Sequence, residues 1–415
     1  MTHNIFVKCD ICDSVLDLKW QVGYLPKSKI IVSCWKCKST IKGTLYTDNE
    51  NIKIKYDIEN AKEIPPTEDF KCDFIVPISG ELITEKMKLG YRQYEATPFM
   101  HLVTLVGIEN FSLYQKRFLD GIDIIKNQKS ICDRINELYF NKQFTFLKKY
   151  FKDNLNVKVK HGNFNEILTE KYKREISFFS SFLNFERYNK KREMISKYLK
   201  NIQGANKVQY QKLIEYFSND IDKFEKRLFD VINIFINTYE SFIPVILLEY
   251  VNKNLIEEIS SKYAITTVYF EDIRSMYLRI YENIMEVSSL LIGLDNIMYR
   301  KDYQKIDTSI ISGKTNIEQY IKMSKGNKVK YTVTDEIFNS IIPAFDKDIR
   351  NAIGHEDIEY DIFNQKLKYK DGECYLIEYV YNIWKCYESC LLIYEIMLDT
   401  KYNMLKLQNK LSERI

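Results

Sequence analysis

The chain has 415 residues, 28% of them charged and 45% hydrophobic, with a formal net charge of +4. That balance excludes a disordered chain and leaves room for two or three domains with cores of their own. The charge permits nucleic-acid binding without arguing for it, and the most apolar runs, such as 242–248 (FIPVILL) and 290–294, are too short to span a bilayer.

The opening residues MTHNIFVKCDICD are polar and do not read as the charged and apolar regions of a secretory leader. A soluble cytoplasmic protein with no membrane association is therefore expected, and its nine cysteines should stay reduced. Four of them fall into two pairs, Cys9-Asp-Ile-Cys12 and Cys34-Trp-Lys-Cys37. A two-residue gap inside each pair turns both sulfurs towards one ion, and two such knuckles close a tetrahedral thiolate shell suited to Zn2+. With four protein ligands no position is left for water, so the zinc would be structural. Between the pairs, Leu16–Trp20 alternates like a strand, and Lys29–Val32 looks like its hairpin partner after the Tyr24-Leu-Pro26 turn. This segment resembles a zinc ribbon over residues 1–45. Cys72, Cys132, Cys374, Cys386 and Cys390 lack knuckle spacing and read as ordinary reduced thiols; Cys386 and Cys390, four apart, share a helix face in a core.

Residues 46–109 keep a β-rich texture, with strands expected at 41–46, 52–56 and 74–78 around Pro65-Pro66. From Asn110 onward the apolar spacing becomes helical, over Phe111–Phe151 and again over Leu213–Ile256, with a break at Asn154–Asn165. Lys171–Lys212 carries eleven basic residues against three acidic, interleaved with Tyr172, Phe178, Phe179, Phe185 and Tyr188. Such a run can line a nucleic-acid groove, but it is more often a solvated helix face over an apolar underside. Further on, Thr308-Ser-Ile-Ile-Ser-Gly313-Lys314-Thr315 imitates a phosphate-binding loop without its first glycine and without a buried strand before it. A loop in which Thr315 caps the helix starting near Asn316 explains it better.

The segment 348–361 reads DIRNAIGHEDIEYD. Phe345, Ile349, Ala352 and Ile353 make one apolar stripe, with Arg350 and Asn351 beside it. Gly354 is placed for a left-handed helix cap, and His355 follows one turn after Asn351. A guanidinium, a carboxamide and an imidazole together suit RNA cleavage. The imidazole can move protons near neutral pH, and the guanidinium can hold the phosphorane.

Arg350-Asn351-Ala352-Ile353-Gly354-His355 matches the R-N-x-x-x-H signature of HEPN ribonucleases, and residues 260–405 resemble their abortive-infection-like branch. There, long helices over 264–299 precede a motif helix at 334–353, a hairpin pairing 358–362 with 366–370, and a last helix from Tyr375 to about Leu398. The periodicity gives a mainly α chain with a helical middle domain at 110–260, read as a sensor or RNA-positioning part, and the resemblance implies a carboxy-terminal HEPN bundle at 261–415. It implies a metal-independent endoribonuclease with Arg350, Asn351 and His355 catalytic, and a homodimer or larger assembly sharing one cleft. A bacterial toxin or antiphage defence effector with RNA as substrate is the expected role, under a phage trigger or a neutralising partner. A further polar residue on an earlier helix would be Glu271, Arg274 or Glu282. Two other readings stay open: a non-catalytic RNA-binding or regulatory module, and an adaptor whose zinc ribbon docks a partner protein.

Overall fold

The computed structural model describes residues 2–48, 53–66, 71–90, 97–159, 164–307, 309, 313, 316–328, 333–342, 347–355, 357–370 and 372–412, without the side chains of 347, 348, 355 and 409–412. Strands come first: β1 (Thr2–Cys9), β2 (Val15–Gln21), β3 (Lys27–Ser33), β4 (Thr40–Asp48), β5 (Lys53–Glu59), β6 (Ala61–Glu63), β7 (Phe74–Ile78), β8 (Thr84–Glu85) and β9 (Lys88–Leu89). Helices follow: α1 (Pro98–Val106), α2 (Ile108–Phe140), α3 (Phe144–Leu155), α4 (Phe164–Ser180), α5 (Phe185–Ala205), α6 (Lys207–Phe217), α7 (Ile221–Asn237), α8 (Tyr239–Ile246) and α9 (Ile256–Lys262). The last part holds β10 (Tyr263–Ala264), α10 (Phe270–Arg300), α11 (Ile317–Ile321), α12 (Lys325–Lys328), α13 (Glu336–Ile341) and α14 (Lys347–His355). It closes with β11 (Glu359–Asp361), β12 (Lys366–Tyr369), β13 (Gly372–Tyr375) and α15 (Leu376–Ser412). The chain is mainly α with small sheets, as its periodicity predicts.

Two compact units are built from interleaved segments: Met1–Ile122, Asn237–Leu278 and Asp348–Trp384 in one, and Asp123–Ile236, Arg279–Lys347 and Lys385–Ile415 in the other. The boundaries expected at 45, 109 and 260 do not separate these units. The long helices α2, α10 and α15 each begin in the first unit and run on into the second.

In the first unit, one sheet has the order β6-β1-β2-β7-β9 and another β3-β4-β5. Leu16, Leu18 and Trp20 of β2 alternate with Asp17 and Lys19, so the apolar set falls on one face with Val7, Ile5, Phe74, Val76 and Ile78. Ile30, Val32, Ile41 and Leu45 of the second sheet join the same core. Residues 1–45 therefore share their core with later residues, from Ala61 and β7 to Met87 between β8 and β9.

Strand pairing corrects one expectation. Leu16–Trp20 and Lys29–Val32 are both strands, but β2 pairs with β1 and, in parallel, with β7, whereas β3 pairs with β4. The Tyr24–Pro26 connection carries the chain from one sheet to the other. It is pinned there by the Glu81 carboxylate, which accepts from the Leu25 N–H at 2.5 Å, and by the Thr47 hydroxyl, which donates to the Leu25 carbonyl at 2.6 Å. A β-carbon on Gly23 would lie 2.3 Å from the Glu81 carboxyl carbon, so a larger residue there would displace the carboxyl group that holds Leu25.

The second unit is helical. Its caps follow the sequence: Asn184, Asn206 and Asp335 accept from the first-turn N–H groups of α5, α6 and α13. The break expected at 154–165 is present, with α3 ending in left-handed Asn156 and α4 starting at Phe164. At α11 the cap is Asn316, whose side chain accepts from the Gln319 N–H at 3.0 Å. Thr315, expected in that role, lies outside the described residues, as does most of the phosphate-loop imitation. Cys386 and Cys390 are buried thiols, and burial pushes Cys386 up to about 12.

The basic run from Lys171 to Lys212 is a core wall with a charged outside. Phe178, Phe179 and Tyr188 are buried, while Arg187 and Lys191 reach Glu388, and Arg192 reaches Glu395. Lys171 itself is fully buried, its ammonium 2.7 Å from Glu175 and 3.0 Å from Glu225. Lys401 approaches the other oxygen of Glu225 at 2.5 Å. No single helix among the described residues is long and apolar enough to cross a membrane.

Candidate functional site

The four paired cysteines converge. Their sulfurs all lie within 4.8 Å of one another, with Cys9 and Cys37 3.6 Å apart and Cys12 and Cys34 3.5 Å apart. A tetrahedron with metal–sulfur arms of about 2.3 Å has edges of about 3.8 Å, so the thiols stand close to the positions a tetrahedral ion requires. Each pair sits at a hairpin end, β1–β2 for Cys9 and Cys12, β3–β4 for Cys34 and Cys37.

The two knuckles repeat each other bond for bond. The Cys9 N–H donates to the Ser14 carbonyl at 2.9 Å and the Asp13 N–H to the Cys9 carbonyl at 3.1 Å. In the second knuckle the Cys34 N–H donates to Ser39 and the Lys38 N–H to Cys34, both at 2.8 Å. Asp13 and Lys38, each just after the second cysteine, take left-handed backbone with φ of 61° and 65°. Backbone N–H groups of Ile11 and Cys12 point at the Cys9 sulfur, and those of Lys36 and Cys37 at Cys34. Donors of this kind stabilise thiolates.

Two serines complete the sphere, and sequence reasoning missed them. Ser14 Oγ lies 3.3 Å from Cys12 Sγ, and Ser39 Oγ lies 3.0 Å from Cys37 Sγ and 3.4 Å from Cys9 Sγ. Their signal was present as a repeat, C-x-x-C-x-S, in both CDICDS and CWKCKS. The Ser14 hydroxyl and N–H draw the Cys12 thiol down to about 6, whereas burial pushes Cys34 up to about 12.

The R-N-x-x-x-H segment lies on α14, in the same compact unit. Ile349, Ala352 and Ile353 are buried, and Arg350 and Asn351 are half-buried, as the stripe predicts. Arg350 Nη1 donates to Asn351 Oδ1 at 3.3 Å, so these two side chains are brought together. The helix runs through Gly354 to His355 and closes where the Asp357 N–H donates to the Ala352 carbonyl at 2.8 Å. Gly354 is exposed and is not among the positive-φ residues, which corrects the left-handed cap expected there: the helix continues one residue beyond it. His355 occupies the helix position one turn on from Asn351; its side chain, and all of Phe345, lie outside the described residues.

The single helix expected over 334–353 is two, α13 and α14, and residues 343–346 between them lie outside the described residues. Asp295 fixes the start of α13: it accepts from the N–H groups of Thr334 and Asp335 at 3.1 and 2.9 Å, and Asp335 caps the helix. The hairpin after the motif is present and gains a third strand, β13, and the last helix runs to Ser412. Among the candidate polar residues of α10, Glu271 pairs with Arg274 at 3.1 Å, while Glu282 pairs with Lys325 of the second unit. No protein-family model, curated protein or solved structure matches the chain, so what it does is read from these two constellations of side chains.

Proposed function

We propose that the chain is an endoribonuclease of HEPN type that cuts RNA by attack of a 2′-hydroxyl, without a catalytic metal. The observation that carries the reading is the contact of Arg350 with Asn351 on a short helix that ends at His355. The guanidinium stays charged throughout and pairs with phosphate oxygens in a fork, so it holds the phosphorane as charge accumulates. Asn351, its oxygen already taken by Arg350, has amide N–H groups left to orient the phosphate. His355 supplies the proton transfer to or from the 2′-oxygen and the leaving 5′-oxygen. The order long helix, motif helix, hairpin, long last helix is the one the resemblance implies, and it supports the reading. A homodimer that pairs two such motifs in one cleft, in a cytoplasmic toxin or antiphage effector, completes the proposal.

Zn2+ is the ion proposed for Cys9, Cys12, Cys34 and Cys37. Its four thiolates would fill the shell and leave no position for water, so its contribution is to the fold.

The test is to incubate purified protein with total RNA, at an EDTA concentration shown by metal analysis to leave the cysteine-held metal in place. Fragments ending in 2′,3′-cyclic phosphate are expected. Binding without cleavage would make the chain a regulatory RNA-binding module, and neither would leave the adaptor reading.

A further inference from the structure

The metal knuckles and the motif helix come from opposite ends of the sequence, yet a short chain of contacts joins them inside one compact unit. Trp35 follows Cys34 directly. Its ring meets Phe74 of β7 edge-on at 5.7 Å, and meets Phe363 at 5.7 Å with a tilt of 55°. Phe363 lies in the turn between β11 and β12, and it packs on the same core as the four cysteines. That hairpin begins at Glu359, just past the end of α14.

The hairpin cannot hold its own position. Its strands are largely polar, Leu367 alone being buried among the residues of β11 and β12, and an isolated hairpin is marginal in water. External anchors therefore set where it sits. On one side β13 pairs with β12 and the Leu376 N–H donates to the Gln365 carbonyl at 2.8 Å; on the side of the Trp35–Phe363 contact there are further anchors. The Gln365 side-chain amide donates to the Ile265 carbonyl at 2.8 Å and accepts from the Ile265 N–H at 2.9 Å, and Tyr360 stacks on Phe270 at 5.3 Å. Within the turn, Asp361 Oδ1 accepts from the N–H groups of Phe363 and Asn364 at 3.1 and 3.2 Å, which stiffens the loop that presents Phe363.

We propose that metal occupancy at the cysteines controls the motif through Trp35 and Phe363. The bound ion fixes the Cys34–Cys37 knuckle, the knuckle fixes Trp35, and Trp35 with Phe363 seats the hairpin that continues from α14. Trp35 and Phe363 are positioning residues. The mechanical link stands on these contacts alone; its consequence for RNA cleavage rests on the function proposed above.

Amide hydrogen exchange on the full-length chain reads the link directly, through peptides covering 357–370 and the knuckles. Phe363→Ala should raise hairpin exchange about fivefold or more, the loss of one aromatic pair, while metal content and knuckle protection stay at wild-type levels. Phe363→Tyr, which keeps a ring, should restore protection. Stripping the metal with excess chelator should raise hairpin exchange in the wild type and add little in Phe363→Ala. Full hairpin protection in Phe363→Ala, or a protected wild-type hairpin beside opened knuckles, would overturn the proposal. Hairpin exchange that follows the metal in a chain that cuts no RNA would uphold the link and remove the ribonuclease reading instead.

Discussion

Replacing Lys171 with methionine removes a cation and keeps most of the side chain's length and apolar body. Lys171 and Glu225 are 0% exposed and Glu175 is 1% exposed, so the charge is lost where water cannot substitute for it. Glu225 still has Lys401 at 2.5 Å and the Tyr139 hydroxyl at 3.1 Å. Glu175 keeps the Tyr394 hydroxyl at 3.1 Å and the Asn136 side chain, neither of them charged. Breaking a buried pair in this way costs about 3–5 kcal/mol. Glu175 can relieve the loss by taking a proton, and burial already pushes its pKa upward in the intact protein. A carboxyl whose folded pKa exceeds its unfolded value binds more protons when folded. The deficit should therefore be small below the unfolded value of about 4.3. It should grow by up to about 1.4 kcal/mol per pH unit once the wild-type folded pKa is passed, until the higher folded pKa of the variant is reached. Adding Glu175→Gln to Lys171→Met removes the uncompensated charge and should recover about 2 kcal/mol or more at pH 8. Urea titrations of the helical circular dichroism at pH 5 and pH 8, on wild type, single and double variants, measure all of this. A Lys171→Met chain within about 1 kcal/mol of wild type at pH 8, or a double variant that recovers nothing, would refute the reasoning.

Elemental analysis should find about one zinc per chain, and Cys9→Ser/Cys34→Ser protein should have lost it; full retention would place the metal elsewhere. His355→Ala should slow RNA cleavage by roughly two to four orders of magnitude and Arg350→Ala comparably, with Asn351→Ala milder. All three should keep wild-type circular dichroism, and 2′-O-methyl at the cut site should stop the reaction; wild-type rates from folded His355→Ala protein would end the mechanism. Burial pushes the Glu81 carboxyl up to about 7 from an ordinary 4.5. Its contribution to stability therefore falls as pH rises across that interval, and Glu81→Gln should flatten the stability–pH curve there, whereas an unchanged slope would assign it to other groups.

What could be read from the sequence was local. A C-x-x-C pair fixes its own geometry within a few bonds, so the sulfur cluster follows from spacing. The apolar stripe of α14 likewise follows from a period of 3.6, and Asn184, Asn206 and Asp335 announce their helices by chemistry. Long-range choices left no local trace. Nothing in Val15–Gln21 says that its second neighbour is Phe74–Ile78 rather than Lys29–Val32. Lys171 reads as a surface charge because Glu225, which makes its burial tolerable, lies far along the chain. Gly354 suggested a stop, yet glycine only permits left-handed backbone, and the helix continued through it.

The interleaving of segments has a consequence for how the protein is made. The first unit uses residues 1–122 but is not whole until 348–384 have been added. At synthesis rates of about 5–20 residues per second, the early strands wait on the order of ten to fifty seconds for their last partners. During that time the Ile31 N–H lacks the Thr266 carbonyl it finally donates to at 2.7 Å, and Trp35 lacks Phe363. The nascent chain thus carries its cysteine pairs into the cell well before it carries the Arg350 helix. A chain that stops before residue 348 carries all four paired cysteines but none of the residues proposed to cut RNA.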